Sequence, residues 1–364
     1  MTSVTCFNAG MVSDRADDGR PPRVTIRRVA ELAGVSVATV SRVANGHADV
    51  SQQTREVVQR VIREQGYQTT RLPGGLTGLV GVTLPMIHPA YFAELLAGMA
   101  EALSERQMGV VLCPTGHSHD REMSLLDQLA EGETDGAVVV LPEETGPELV
   151  AQARPGFPIV VVDPLGDIPA GVPVVRAAHS SGATQATEHL LELGHRRIGV
   201  IAGPHGWAAT EERMRGFQAA MAQAGMLADL ALVRYSDFRV DGGRASAREL
   251  LSLDEPPSAI FAFSDRMAIG SIQAAADAGL RVPADLSVVG FDDTADALIG
   301  VPPLTTVRQP LAEMGRTAVS VLLRQIENRR LEPLRVELET RLVVRESTAP
   351  PRATPRAAHG AATT

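Results

Sequence analysis

Residues 25–46 read TIRRVAELAGVSVATVSRVANG, and their spacing predicts two short helices joined by a tight turn. Thr25 is placed to cap the first helix, where Ile26, Val29, Ala30 and Ala33 recur at three and four to make one apolar face. Gly34 supplies the turn, and Val35 plugs the angle between the helices. Ser36 caps a second helix that repeats the spacing with Val37, Val40, Val43 and Ala44. Asn45-Gly46 ends it, because both residues tolerate a left-handed backbone. Ser51 then opens a third helix whose Val57, Val58, Val61 and Ile62 bury against the first two, with Gly66 as its stop. The result is a small three-helix, all-α domain over residues 23–67 that contains a helix–turn–helix. A helix of this width fits the major groove of double-stranded DNA. Its start offers the hydroxyls of Ser36, Thr39 and Ser41 to phosphates, and Arg42 as a fork for guanine or phosphate.

Charge points the same way. Residues 23–71 hold eight arginines against four acids, a net of +4, whereas the whole chain of 364 residues carries −9. With −1 on residues 1–22, the remaining 72–364 carry −12, so a polyanion partner is expected at the N-terminal head only. All 34 basic side chains are arginine. The lack of lysine excludes a Walker-type phosphate loop and a pyridoxal Schiff base, and no other cofactor is expected. Residues 1–22 lack the basic start and apolar core of a signal peptide and read as a disordered leader, with Met11 an alternative start. No apolar run approaches the roughly eighteen residues of a membrane span. Two cysteines, Cys6 and Cys113, make no disulfide framework, which fits the cytoplasm.

Beyond a linker at 68–78 the pattern changes to strands alternating with amphipathic helices. Strands are expected at 79–84, 110–113, 136–141, 158–162, 172–175, 196–201, 231–234, 258–262 and 286–290. A long helix is expected near 309–328, followed by one alternating strand, VELETRLVV, at 336–344. Short apolar strands separated by helices predict parallel sheets covered on both faces, and their number favours two sheets over one. The α/β body is therefore expected as two lobes. The first spans about 79–176 plus 305–333, and the second about 177–304 plus 334–348. Residues 349–364, rich in Pro, Ala and Thr, read as a disordered tail.

The ordered motifs resemble the lac repressor family of bacterial transcription regulators. They are the head stretch itself, VSQQTREVV (50–58), Gly66-Tyr67, GHRRIGVIAGP (194–204), ERMRGF (212–217), FSDRMAIG (263–270), VPADLSVVGFDD (282–293) and PPLTTVRQP (302–310). The resemblance covers about residues 24–347. It implies a homodimeric DNA-binding regulator, usually a repressor, whose periplasmic-binding-protein-like core holds a small effector, usually a sugar, between two lobes. In this family the two residues after the cap serine of the second helix read bases; here they are Val37 and Ala38. Neither donates a hydrogen bond, so readout there is apolar, as with a thymine methyl. Arg42 matches a base- or phosphate-contacting arginine, and Asn45 and Tyr67 match backbone contacts. Two-fold symmetry implies a palindromic operator.

The linker departs from the family pattern, in which a hinge helix wedges a leucine into the minor groove. Pro73, Gly74 and Gly75 oppose a helix, so a weakened or relocated hinge is expected. Leu72 and Leu76 are the candidate wedges, and Arg71-Leu72 favours Leu72.

Effector contacts carry over by position. Asp163, closing PIVVVD, and Asp292, in VVGFDD, stand where strands end, which is where open α/β sheets bind ligands. Arg213 matches a ligand-binding arginine, and Phe92 and Phe238 match aromatic walls. Ser264 stands where the family commonly has asparagine, a shorter reach. Trp207, the only tryptophan, lies in GPHGWAAT near the expected pocket and can stack on a sugar face. Three other constellations are set aside. The His117–Asp120 run HSHD reads as a solvated loop before a metal site, GGLTGLVG precedes a strand where a dinucleotide loop would follow one, and no nucleophile elbow is present.

Overall fold

The computed structural model describes residues 26–44, 50–65, 76–87, 90–153, 156–327 and 333–352. Thr25, Asn45, Tyr67 and Leu72 lie outside these residues, and Ala38 and Ser41 are described by backbone alone. The chain forms two compact units, Met1–Leu76 and Thr77–Thr364.

In the head, α1 (Ile26–Ala33), α2 (Val37–Ala44) and α3 (Gln52–Gln65) enclose a core made almost wholly of valine: Val29, Val40, Val43, Val58 and Val61, with Ala30. Gly34 takes φ +66° between the first two helices, a conformation that an L side chain resists. Val35 packs on the core behind it. The Thr39 amide donates to Ser36 Oγ at 3.1 Å and the Thr54 amide to Ser51 Oγ at 3.3 Å, so both serines cap as their positions require. Val37 shares the apolar spacing of α2 but is 41% exposed and lies outside the valine core, as a side chain expected to contact bases must.

In chain order the second unit contains β1 (Leu79–Leu84), α4 (Ala90–Glu105), β2 (Gly109–Pro114), α5 (His119–Gln128), β3 (Ala137–Val140), α6 (Gly146–Gln152), β4 (Ile159–Val162) and β5 (Val174–Ala177). It continues with α7 (His179–Glu192), β6 (Ile198–Ala202), α8 (Ala208–Gln223), β7 (Val233–Tyr235), α9 (Val240–Leu251), β8 (Ala259–Ala262) and α10 (Asp265–Asp277). Last come β9 (Ser287–Asp292), α11 (Ala295–Ile299), β10 (Thr305–Arg308), α12 (Leu311–Glu327), β11 (Arg335–Leu338) and β12 (Arg341–Val343). Two six-stranded sheets result, in the orders β11-β5-β4-β3-β1-β2 and β12-β10-β9-β8-β6-β7. All pairings are parallel except β10 with β12.

The strands are buried on both faces because alternate residues meet different helices. Val138, Val140, Val160 and Val162 pack on α4 and α12, while Ala137, Val139, Ile159 and Val161 pack with Leu126, Leu129 and Leu149 on the other side. At the crossing of α4 and α12, a Cβ on Gly98 would lie 1.9 Å from the Ala312 carbonyl oxygen, so only glycine allows that approach.

Two expectations need correcting. VELETRLVV is two strands. β11 joins the first sheet and β12 the second, because the chain turns at Glu339-Thr340, where buried Thr340 donates to the Ala178 carbonyl (3.0 Å). Residues 305–308 were expected in the first lobe as part of no strand; they form β10, paired with β9 and β12 in the second sheet. The chain thus passes between lobes after β5, after β10 and after β11.

Candidate effector cavity and DNA-reading helix

A cavity of about 360 Å³ lies between the lobes of the second unit, and Phe92, Asp163, Trp207, Arg213, Phe238, Ser264 and Asp292 all line it. The topology explains this convergence. Asp163 directly follows β4 and Asp292 ends β9, so each carboxylate stands at the carboxyl end of a parallel sheet. Both residues have positive φ, +46° and +122°, uncommon for a side chain larger than glycine and typical of residues held in place for a site.

A polar chain spans the floor. Tyr91, beside Phe92 on α4, donates its hydroxyl to Asp163 Oδ2 at 2.5 Å. The amide of Ala177 (3.4 Å) and His179 Nε2 (3.4 Å) face Asp163 Oδ1. The Arg213 guanidinium can only donate, and it lies 3.3 Å from His179 Nδ1, so that nitrogen accepts and the ring hydrogen is on Nε2, toward Asp163. Arg213 also donates to the Phe263 carbonyl, stacks 3.8 Å above the Phe291 ring and lies 3.8 Å from Asp292 Oδ1. Gln309 Nε2 completes the line with a 2.7 Å bond to Asp292 Oδ1. One donor is left over. Arg213 is 4% exposed, yet its Nε meets no acceptor.

Burial and partners set the charges. Burial raises Asp163, but the opposing His179 and the Tyr91 hydroxyl outweigh it, and its pKa is lowered. Burial dominates at Asp292 and pushes it up to about 7 against the pull of Arg213. Tyr91 is raised well above its ordinary value by burial and then by Asp163, so it stays a donor. Burial lowers Arg213, with Asp292 and Asp163 opposing it. Asp265 is different: fully buried and raised by burial, it accepts from the Thr294 amide at 2.8 Å and from Thr306, and so ties down the loop after β9.

The remaining residues have clear local roles. Ser264 caps α10, accepting from the Met267 amide at 3.2 Å while keeping its own hydroxyl hydrogen. Phe92 is buried in the first-lobe core with its ring edge-on to Tyr91. Trp207 occupies the N-cap position of α8, 5.6 Å from Phe238 and 6.5 Å from His117 between ring centroids. Phe238, at φ +60°, presses on Gly203, where a Cβ would lie 2.0 Å from its Cζ. Tyr91, His179 and Gln309 were not singled out in the sequence. Tyr91 neighbours Phe92 in HPAYF and Gln309 falls within PPLTTVRQP, yet their roles depend on partners far away in the chain. His117, set aside in the sequence, also lines the cavity, its Nδ1 2.8 Å from Glu143 Oε1; His119 pairs with Glu148 at 3.1 Å.

Behind that edge lies a buried acid pair. Glu122 accepts from Thr83 Oγ1 (2.7 Å) and from the Glu143 amide (3.0 Å), while both oxygens of Glu144, 6% exposed, meet no protein donor. Burial first, then Glu122, push Glu144 up to about 9. Glu144 therefore holds its proton to higher pH than an ordinary glutamate, with the neighbouring Glu122 adding to the effect of burial.

In the head, Ser36, Val37, Thr39 and Arg42 all lie on α2 or its cap. Ser36 Oγ and Thr39 Oγ1 are 2.8 Å apart, so one hydroxyl hydrogen bridges them and the other is left for an outside acceptor. Val37 and Arg42 are exposed.

A model of bacterial regulatory proteins of the lacI family matches residues 25–70, and one of the periplasmic binding protein-like domain matches residues 187–348. The HTH-type transcriptional regulator CelR of Thermobifida fusca is 39% identical over 342 residues, spanning 90% of this chain and 99% of that protein. The chain belongs to the lacI family of bacterial transcription regulators. Solved structures of the family agree. A CelR–cellobiose complex, 40% identical, has a TM-score of 0.69 over 89% of this chain and 100% of that one. The lac repressor dimer bound to operator and the anti-inducer ONPF, 27% identical, has a TM-score of 0.72 over 90% and 100%. Like these relatives, the chain is a helix–turn–helix transcriptional regulator.

Proposed function

We propose that the chain is a repressor that binds a palindromic operator as a homodimer and releases or tightens its hold when a carbohydrate enters the interlobe cavity. The observation that carries the ligand class is the floor of that cavity. Two strand-end carboxylates flank an arginine whose buried Nε–H has no acceptor, an arrangement completed by a neutral molecule rich in hydroxyls. The cellobiose bound to CelR and the operator bound to the lac repressor dimer support the reading. In the head, Val37 and Ala38 contact bases apolarly, Arg42 forks onto guanine or phosphate, and Ser36, Thr39 and Ser41 hold phosphates; Thr25, Asn45, Tyr67 and Leu72 add contacts at their family positions. Asp163, Arg213, Ser264 and Asp292 supply polar contacts to the effector, between the rings of Phe92, Trp207 and Phe238. The carboxylates are occupied by Tyr91, His179 and Gln309, an arrangement for holding a ligand, and we assign it no turnover. The site of action is the cytoplasm, where the DNA is; among the described residues no helix is long and apolar enough to cross a membrane.

The test is to select DNA from a random pool with the full chain, then to follow binding by anisotropy with and without carbohydrates. A palindromic consensus, salt-dependent affinity and a sugar-dependent change in affinity are expected. Affinity for DNA with no sequence preference would overturn the repressor reading.

A further inference from the structure

We infer that the two lobes are latched outside the effector cavity by an ion pair, Arg176 with Glu212, so that ionic strength acts on the lobe arrangement alongside the effector. The inference holds whatever ligand fills the cavity.

Arg176 lies on β5 of the first lobe and Glu212 on α8 of the second, and Arg176 Nη1 donates to Glu212 Oε1 at 2.7 Å. Among the described residues no other arginine pairs with a carboxylate of the opposite lobe. The pair is held from both sides. Glu337, on neighbouring β11, takes Arg176 Nη2 at 2.8 Å, so the guanidinium is fixed on its own lobe before it reaches across. Glu212 is 8% exposed, so losing the arginine would leave a carboxylate short of water, with Arg215, 3.7 Å away on the same helix, to answer it. An exposed ion pair is worth little because two long side chains must be ordered to make it. Here Glu337 orders one and burial orders the other.

The surroundings are charged. A second cavity of about 490 Å³ lies here between the lobes, apart from the effector cavity but sharing Asp163 and Ala209 with it. Asp167, Glu211 and Arg335 line it together with the pair and Glu337, and no apolar cluster among the described residues spans it. The lobes meet across this space through charge and through a backbone bond, from the Ala208 amide to the Leu165 carbonyl at 2.7 Å. Salt screens the charge, since the Debye length falls from about 10 Å at 0.1 M to about 3 Å at 1 M.

The latch lies one residue from the effector site. Glu212 precedes Arg213 on α8, and successive helical residues are about 100° apart, so one side of the helix meets Arg176 and the next reaches the cavity floor. A change in the lobe angle moves both contacts together, and by linkage salt and effector act on one equilibrium.

The Ala208 amide, bonded across the gap, reports the lobe arrangement without ligand or DNA. Hydrogen exchange is followed on the full chain at about 0.05 M and about 0.5 M NaCl. In the wild type, the higher salt should speed exchange at Ala208 roughly threefold to tenfold. Glu212→Gln and Arg176→Gln should each show the faster rate already at low salt and lose the salt response. Arg176→Lys should keep most of the protection at low salt, because one ammonium can still pair with Glu212. Arg215→Ala, which removes the neighbour on the same helix, should behave as wild type. Exchange at Val161 and Ile260, in the central strands of the two sheets, should stay slow throughout. Exchange at Ala208 that ignores both salt and Glu212→Gln overturns the latch. So does an equal acceleration at Val161 and Ile260, which would make the pair a general stabiliser of the fold, or an equal acceleration in Arg215→Ala.

Discussion

Glu144→Gln should make the core more stable at alkaline pH, an unusual result for a change at a buried position. In the folded protein the Glu144 carboxyl is held near 9, against 4.5 for an ordinary glutamate. The folded state therefore keeps a proton that the unfolded chain releases. Its stabilising effect is complete below about pH 4.5 and is lost steadily as pH rises toward 9. Over that range the loss approaches about 1.36 kcal/mol per pH unit, or about 4 kcal/mol between pH 5 and pH 8. The sum depends little on the folded value, because pH 8 is still below it. Glutamine keeps the shape and cannot ionise. Urea unfolding of wild type and variant at the two pH values isolates the effect, since every other titrating group is common to both. At pH 8 the variant should gain about 2–4 kcal/mol, and at pH 5 the two should agree within about 1 kcal/mol. An equal difference at both pH values, or a loss of stability at pH 8, would refute the retained-proton account.

Three further outcomes are expected. Arg213→Met should abolish the thermal shift with carbohydrate and cost about 1–3 kcal/mol, because the Phe263 carbonyl and Asp292 lose their donor. Gly203→Ala places a Cβ 2.0 Å from Phe238 Cζ; overpacking of about 1–3 kcal/mol should push the ring aside, and calorimetry should show weakened carbohydrate binding while operator affinity without sugar is kept. Arg42→Ala should remove specific operator binding by anisotropy and leave the sugar-induced thermal shift intact.

Residue spacing revealed the strands, the head and the places where strand ends put Asp163 and Asp292, because these follow from local periodicity. The motifs around Arg213 and Ser264 placed those two at the same cavity by resemblance. What stayed hidden depends on distant partners. VELETRLVV alternates without interruption, and nothing local marks the turn at Thr340, which is fixed by the Ala178 carbonyl. Thr305 and Thr306 look like loop residues after two prolines, yet β10 is buried because Ser347 and Asp265 receive their polar groups. Tyr91, His179 and Gln309 have no motif of their own; each matters through a side chain from another segment. Val37 fits the apolar spacing of α2 and still faces outward, since a period of three and four cannot tell a core position from an adjacent exposed one.

The three passages between the lobes have a mechanical consequence. A single tether would let one lobe swivel about any axis, whereas three short straps side by side restrict rotation much as a door hinge does. The straps are linked to each other and to the cavity: Thr340, in the third, bonds to Ala178 in the first, and Gln309, in the second, holds Asp292. A ligand bonded to Asp292 would therefore touch a residue held by the second strap, so that ligand binding and lobe rotation share the Gln309–Asp292 contact.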